Sequence, residues 1–355
     1  MKFYGRTAFT LLALLGALLA LPGRPSPGED RETSRTAGRD RVLVPHRAWP
    51  CGMPEGIPAP EKGVPVLEAE LLLGTVHDLG RTPYGRRKVL VVEGGTVSGA
   101  KIRGSVMPGG LDLQLEFPGG MEIEEILVLC TGDGKYIYLW GAGTAADPGD
   151  VRIVPAFEAP NDSAYAWLNR GTYAARRMVD EAAGKMTLTV FDVSAVVAGG
   201  EGKDPVRVTK PEGLPDQPRD YRKAAPEEER GAMLIDENVT LGPTQMVGPA
   251  GDRVRNIIPI TGGSVSGRIS GKVLPAGADY QNLASPPTID ARYLWQTEEG
   301  EVILVRNGGT MDRLAPTFEV RVDSPYAWLN GGHYLSSSPR MGQGGVALTF
   351  YETKR

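Results

Sequence analysis

Ser163-Ala-Tyr-Ala-Trp-Leu-Asn169 and Ser324-Pro-Tyr-Ala-Trp-Leu-Asn330 are one string of seven residues written twice. A Pro-x-Phe-Glu segment precedes each copy, at Pro155 to Glu158 and at Pro316 to Glu319, and glycine and tyrosine follow. Agreement of that length in side chains this large is not coincidence, so the chain of 355 residues carries an internal duplication. The copies themselves read as helical: Ser163 and Ser324 suit an N-cap, Pro325 the first helical position, and Gly171 and Gly331 a C-terminal stop. A helical turn or two is predicted in each repeat, with Tyr and Leu on one face and Asn beside them.

Outward from the two strings the repeats match strand by strand. Gly94-Gly-Thr-Val-Ser-Gly99 answers to Gly262-Gly-Ser-Val-Ser-Gly267, and Pro108-Gly-Gly-Leu-Asp-Leu-Gln114 to Pro275-Ala-Gly-Ala-Asp-Tyr-Gln281. Asp133-Gly-Lys-Tyr-Ile-Tyr138 answers to Glu299-Gly-Glu-Val-Ile-Leu304. In the first repeat, short β-branched or alternating runs fall at 66–73, 87–93, 101–107, 111–117, 122–130, 136–140, 151–158, 173–178 and 185–193. Turns such as Pro108-Gly-Gly110 and Pro118-Gly-Gly120 join them as antiparallel neighbours require. The fold class expected is all-β: two tandem small antiparallel β-barrels, whose closure removes exposed strand edges. A pair of β-sandwiches is the other arrangement compatible with the pattern.

Composition and punctuation divide the chain. Lys2 and Arg6, then an apolar run over 8–21 ahead of Pro22 and Gly23, read as a signal peptide at 1–23, too short for a comfortable membrane span. A flexible leader at 24–60, a first barrel at 61–194, a linker at 195–231 rich in Pro, Lys, Glu and Asp, and a second barrel at 232–355 follow. The expected location is secreted or periplasmic, without a stable membrane span after cleavage. There Cys51 and Cys130 could pair; a buried free thiol at Cys130 is the alternative. A net charge of -4, with 23% charged residues, argues against nucleic acid, whose binders concentrate Lys and Arg. Two fused copies could satisfy one interface within a chain, giving a monomer that is an internal pseudo-dimer.

The series Gly-Gly, Pro-x-Gly-x-Asp-x-Gln, Asp290-Ala-Arg-Tyr293, Thr-Phe-Glu and Tyr-Ala-Trp-Leu-Asn resembles domain-of-unknown-function family 3237 over nearly all of both repeats. The resemblance implies a small β-barrel domain and, the family having no assigned activity, little about chemistry. The second repeat fits it better: where it has Asp290-Ala-Arg-Tyr293, the first has Glu124-Glu-Ile-Leu127.

Asp279, Gln281 and Arg292 form the most suggestive constellation. Asp279 and Gln281 are two apart on one strand and share a face. Arg292, on the next, could meet the carboxylate if it also points inward. In the alternative, Asp279 and Gln281 tie off loop backbone and Arg292 faces outward. Asp112 and Gln114 are the same pair in the first repeat, without an arginine at Ile126. Tyr326 and Trp328, like Tyr165 and Trp167, would plug a barrel end, or else wall a ring-shaped ligand with Asn330 on its polar edge. His333 stands where the first repeat has Thr172. Spacing among His46, His77 and His333 suggests no metal centre, and no cofactor is expected. No Gly-x-Ser-x-Gly elbow is present, and the glycine pairs lack the strand, loop and long helix of a phosphate cradle.

Three function classes follow. The leading one is binding of a small apolar or aromatic molecule in the second barrel. The second is a cofactor-independent lyase or isomerase in which Asp279 moves a proton while Arg292 or His333 steadies negative charge. The third is a purely structural secreted module.

Overall fold

A computed structural model of the protein describes residues 41–42, 56–200, 207–208, 210–342 and 344–354. The expected signal peptide, nearly all of the leader, and Cys51 lie outside those residues. Cys130 is half-buried, its thiol 3.8 Å from the Thr131 carbonyl oxygen.

Arg41–Val42 (β1) pairs with a later two-residue strand, apart from two larger sheets. The first sheet contains Val64–Thr82 (β2), Gly85–Ser98 (β3), Arg103–Val106 (β4), Gly110–Phe117 (β5), Gly120–Thr131 (β6), Tyr136–Ala145 (β7), Arg152–Glu158 (β8), Tyr173–Asp180 (β9) and Lys185–Asp192 (β10). Its ladders are antiparallel, and pairing of β2 with β3 returns the sheet to its start, closing a barrel of eight strands. Each expected run is a strand here. The largest departure is β2, which continues to Thr82 across Gly74 and Thr75, where alternation fades but the ladder with β3 persists.

The helix Ser194–Ala198 (α1) and Arg207–Val208 (β11), the partner of β1, lead towards the second sheet. It contains Glu229–Leu241 (β12), Gln245–Ala250 (β13), Arg253–Gly267 (β14), Gly271–Asn282 (β15), Thr288–Thr297 (β16), Val302–Thr310 (β17), Arg313–Glu319 (β18), Tyr334–Ser336 (β19), Arg340–Gly342 (β20) and Gly345–Lys354 (β21). It follows the same course, but β18 and β19 share no ladder, so the second barrel has a seam. Rings bridge that seam: Phe318 and Tyr334 stand edge to face at 5.2 Å, as Phe157 and Tyr173 do at 5.1 Å in the first barrel.

Period-two alternation fills both lumens. Ala69 and Leu71 from β2 meet Leu188 and Val190 from β10, and Trp295, Phe318 and Phe350 stack in the second lumen at 5.2 and 5.6 Å from the tryptophan. Ring pairs of this kind contribute about 0.5–1.5 kcal/mol beyond their buried area.

The repeated string forms a 3-10 turn in each repeat, Ala166–Arg170 and Ala327–Leu329, with Leu168 and Leu329 buried beneath. Ser163 and Ser324 accept hydrogen bonds from the Tyr165 and Tyr326 amides, both at 3.2 Å. Gly171 leaves the turn in extended backbone, φ −77°, so it is not the left-handed stop expected of it. The terminal asparagine does that work: Asn330 accepts from Val320 N and donates to Val320 O, both at 2.9 Å, and Asn169 clasps Ala159 in the same way. Asn330→Ala should cost about 1–3 kcal/mol, because the buried Val320 amide loses its acceptor. A urea midpoint equal to wild type would refute the clasp.

The two barrels pack through equivalent faces. Arg87 of the first reaches Glu319 of the second at 3.0 Å, and Arg255 of the second reaches Glu158 of the first at 2.6 Å; arginines and glutamates are repeat counterparts. Asn161 N bonds Pro249 O and Val322 N bonds Arg81 O, both at 2.8 Å. Leu79, Val89 and Leu113 lie in one apolar cluster between the barrels, and their counterparts Val247, Ile257 and Tyr280 in the other. The contact is isologous about a pseudo-two-fold axis, as between subunits of a symmetric dimer. The chain between the repeats is pinned over this joint: Gln217 accepts from Arg87 and donates to Glu122, both at 2.8 Å.

Candidate functional site

Strand pairing fixes which residues face each lumen. Asp112 lies opposite Glu125, and Asp279 opposite Ala291, so the two Asp-x-Gln pairs occupy the same place in the two barrels. In both, glutamine donates to the aspartate, Gln114 at 3.1 Å and Gln281 at 2.6 Å. What stands over them differs.

In the first barrel β9 runs on to Asp180 and delivers Arg177 inward. Its Nε and Nη2 donate to the two Asp112 oxygens at 2.7 and 2.8 Å, with both side chains almost wholly buried. Glu125 lies beside this pair with neither oxygen hydrogen-bonded, and burial, with the Asp112 charge added, pushes its carboxyl well up. A bidentate guanidinium compensates the buried aspartate and occupies the place over it.

In the second barrel the counterpart of β9 is the three-residue β19. Ser337, Ser338 and Pro339 carry the chain away; the proline has no amide to offer a ladder, and Ser338, in the place of Arg177, is exposed. A cavity of about 160 Å³ opens over Asp279. Its walls are mostly aliphatic, among them Val239, Ile258, Ile260 and Leu348, and its polar groups are Glu237, Asp279, Gln281, Tyr293 and Asn307. Asp279 Oδ1 and Asn307 Oδ1 are buried there without hydrogen-bond partners. Glu237 accepts from Tyr293 Oη at 2.6 Å and Trp295 Nε1 at 2.9 Å. Burial pushes both Glu237 and Asp279 up to about 7, and among the described residues no cation lines the cavity to hold either ionised.

Of the residues singled out from sequence, Asp279 and Gln281 therefore line one cavity, and Asp112 and Gln114 line its filled counterpart. Arg292 does not join them. It projects from the opposite face of β16 into the joint between barrels, with Nη1 2.6 Å from Glu124 and Nη2 2.9 Å from Asp290. Arg306 holds the other side of Asp290 at 2.8 Å. Burial alone would raise the Asp290 carboxyl, yet Arg292 and Arg306 bring it far below the usual range. One residue along a strand reverses the face, which is why Arg292 misses the lumen although Ala291 lines it.

His333 lies outside the cavity, 2.8 Å from Glu228 and 44% exposed. Tyr326 donates to Glu299 at 2.6 Å, Trp328 packs under the Arg268 guanidinium at 4.0 Å, and Asn330 is occupied with Val320. These three build the plug and do not line the cavity. Glu237, Tyr293, Asn307 and Arg177 were not singled out from sequence. A signal existed for two of them: Glu237 shares the parity of Ile235 and Val239 on its strand, and Arg177 that of Tyr173 and Ala175.

No His, Cys, Asp or Glu cluster among the described residues has the arrangement of a metal site, and no described helix is long and apolar enough to cross a membrane. A family model described as "Protein of unknown function (DUF3237)" matches residues 62–196 and 232–313. A UPF0311 protein of Bradyrhizobium diazoefficiens is 44% identical over 71 residues, 19% of this chain and 47% of that protein. One from Clostridium acetobutylicum is 28% identical over 146 residues, 34% of this chain and 87% of that protein. The chain spans about half the length of the first curated relatives it matches. Among solved structures, a conserved protein of unknown function from Rhodopseudomonas palustris is 26% identical, covering 36% of this chain and 95% of that one at a TM-score of 0.32.

Proposed function

The chain belongs to the DUF3237 family of proteins of unknown function, and from the open cavity of its second barrel we propose that this barrel binds a small molecule with a largely apolar body. The observation that carries the reading is the cavity over Asp279: about 160 Å³, mostly aliphatic, with a buried carboxylate oxygen left without a partner. An apolar cavity of about 150 Å³ holds a benzene ring, so a single-ring ligand fits. Barrels of about eight strands can pack their lumen with side chains or hold one small ligand, and the second barrel keeps space for one. The basic, then apolar N-terminal sequence favours action in a secreted or periplasmic setting.

A lyase or isomerase that pairs Asp279 with Arg292 or His333 has no support in the geometry, since neither side chain reaches the cavity. A purely structural module gives no account of buried acceptors left without partners beside an apolar cavity. Screening a library of single-ring compounds by thermal shift should give stabilising hits in wild type that vanish in Ala291→Phe, which fills the cavity from β16. Hits indifferent to that substitution, or none in wild type, would count against binding here.

A further inference from the structure

Resting on that reading, we propose that the head group of the ligand is a planar nitrogen cation, an amidinium or guanidinium, seated on Asp279 as the Arg177 guanidinium is seated on Asp112. The first barrel then carries, on its own chain, a covalently attached version of the complex that the second forms with a free molecule.

Three observations converge. The cradle is the same: an aspartate on the same strand, facing the lumen, with a glutamine two residues on donating to it. The occupant is present in one copy and removed in the other, where Ser338 replaces Arg177 and the chain turns out at Pro339. The vacated place keeps its acceptors. Asp279 Oδ1 is unpartnered, and Asn307 Oδ1, which stands where the first repeat has Gly141, is unpartnered as well.

The charge of the lining points the same way. Glu237 from β12, Asp279 from β15 and Tyr293 from β16 are its titratable groups, Asp290 lies farther along β16, and no Lys, Arg or His among the described residues lines the cavity. A bound anion would be buried against two acids with no compensating cation. A planar cation gives Asp279 two parallel donors, the geometry that Arg177 already makes. Because Asp279 sits at about 7 when the cavity is empty, a cation binds at the expense of its proton, and binding must strengthen as pH rises through that value.

The test is calorimetric titration of wild type, Asp279→Asn and Ala291→Phe with benzamidine, benzamide and benzoate at pH 6 and pH 8. Benzamidine should bind at least about ten-fold more tightly than benzamide at pH 8, and about ten-fold more tightly at pH 8 than at pH 6, as the ionised fraction of Asp279 grows. Benzoate should not bind, Asp279→Asn should erase the preference for the cation, and Ala291→Phe should abolish binding. If benzamide binds as well as benzamidine, or the affinity for benzamidine ignores both pH and Asp279→Asn, the cation assignment is overturned while the binding site stands. If none of the three probes binds wild type, the cation assignment falls; the binding reading falls with it only if the neutral library also fails.

Discussion

Arg177→Ala should destabilise the protein by about 3–5 kcal/mol, the usual result of removing one partner from a buried, hydrogen-bonded ion pair. Asp112 is then left in a closed lumen at 0% exposure beside Glu125, itself buried without a partner. Neither acid can reach water, so both must hold protons or pay the desolvation of a bare charge. The deficit should be plain at both pH 5 and pH 8, because Asp112 loses its bidentate partner and Glu125 loses the nearby positive charge. Arg177→Met combined with Asp112→Asn should recover most of the loss by removing charge from both sides. Urea unfolding of the three proteins at the two pH values measures this. A single-variant loss under about 1 kcal/mol would mean that Arg177 is not committed to the lumen.

The second large effect is the pH dependence of the wild type. Burial raises Asp279 and Glu237 to about 7 and raises Glu125 as well, whereas the unfolded chain titrates these carboxyls near 4. Below pH 4 both states are protonated and the groups are neutral to stability. Between roughly 4 and 7 the folded state keeps protons that the unfolded state has released, so each step up in pH favours unfolding. The loss is complete once pH has passed through the folded-state values. For Asp279 and Glu237 it amounts to roughly 3–4 kcal/mol each at 1.36 kcal/mol per pKa unit. Asp290 and Asp150 work in the opposite sense. Burial opposes their ionisation at Asp290, where arginines prevail, and at Asp150 the Arg152 hydrogen bond leads, so their contribution is lost only as pH falls through the low values they hold. Stability should peak in mildly acidic solution and decline towards pH 8. Denaturation midpoints at pH 5 and pH 8 should differ clearly, and Asp279→Asn and Glu237→Gln should each flatten the slope. A midpoint that rises with pH would contradict the burial of these acids.

The fold was legible because its signals are local. Glycine-bounded alternation marks strands such as β5 and β6, and the repeated string marks the 3-10 turns, so an all-β duplication can be read without tertiary information. The Asp-x-Gln pair was legible for the same reason: two residues on one strand share a face by geometry alone. Arg292 was not placed by that reasoning, since its face depends on the register of β16, and a shift of one residue exchanges lumen for interface. Arg177 and Glu237 come to Asp112 and to the second cavity from strands distant in sequence, and only barrel closure brings them there. The plug reading of Trp328 holds, whereas its ligand-wall alternative and the placing of His333 at the site fail for another reason. Their neighbours in space, Glu228 and Arg268, belong to segments that no local pattern connects to the plug.

The equivalent faces through which the barrels meet have a consequence for how such a protein can change. In an assembly of two identical chains every substitution is made twice, so a residue that fills one lumen fills both, and a partly emptied pair is out of reach. Tandem fusion lifts that constraint while keeping the contact. Reciprocal pairs such as Arg87 with Glu319 and Arg255 with Glu158 give the joint its two-fold symmetry. Behind it, one copy is free to trade its vacancy for rigidity through Arg177, and the other to remain open. A change inside one lumen then leaves the other lumen as it was, while the joint between the barrels stays the same.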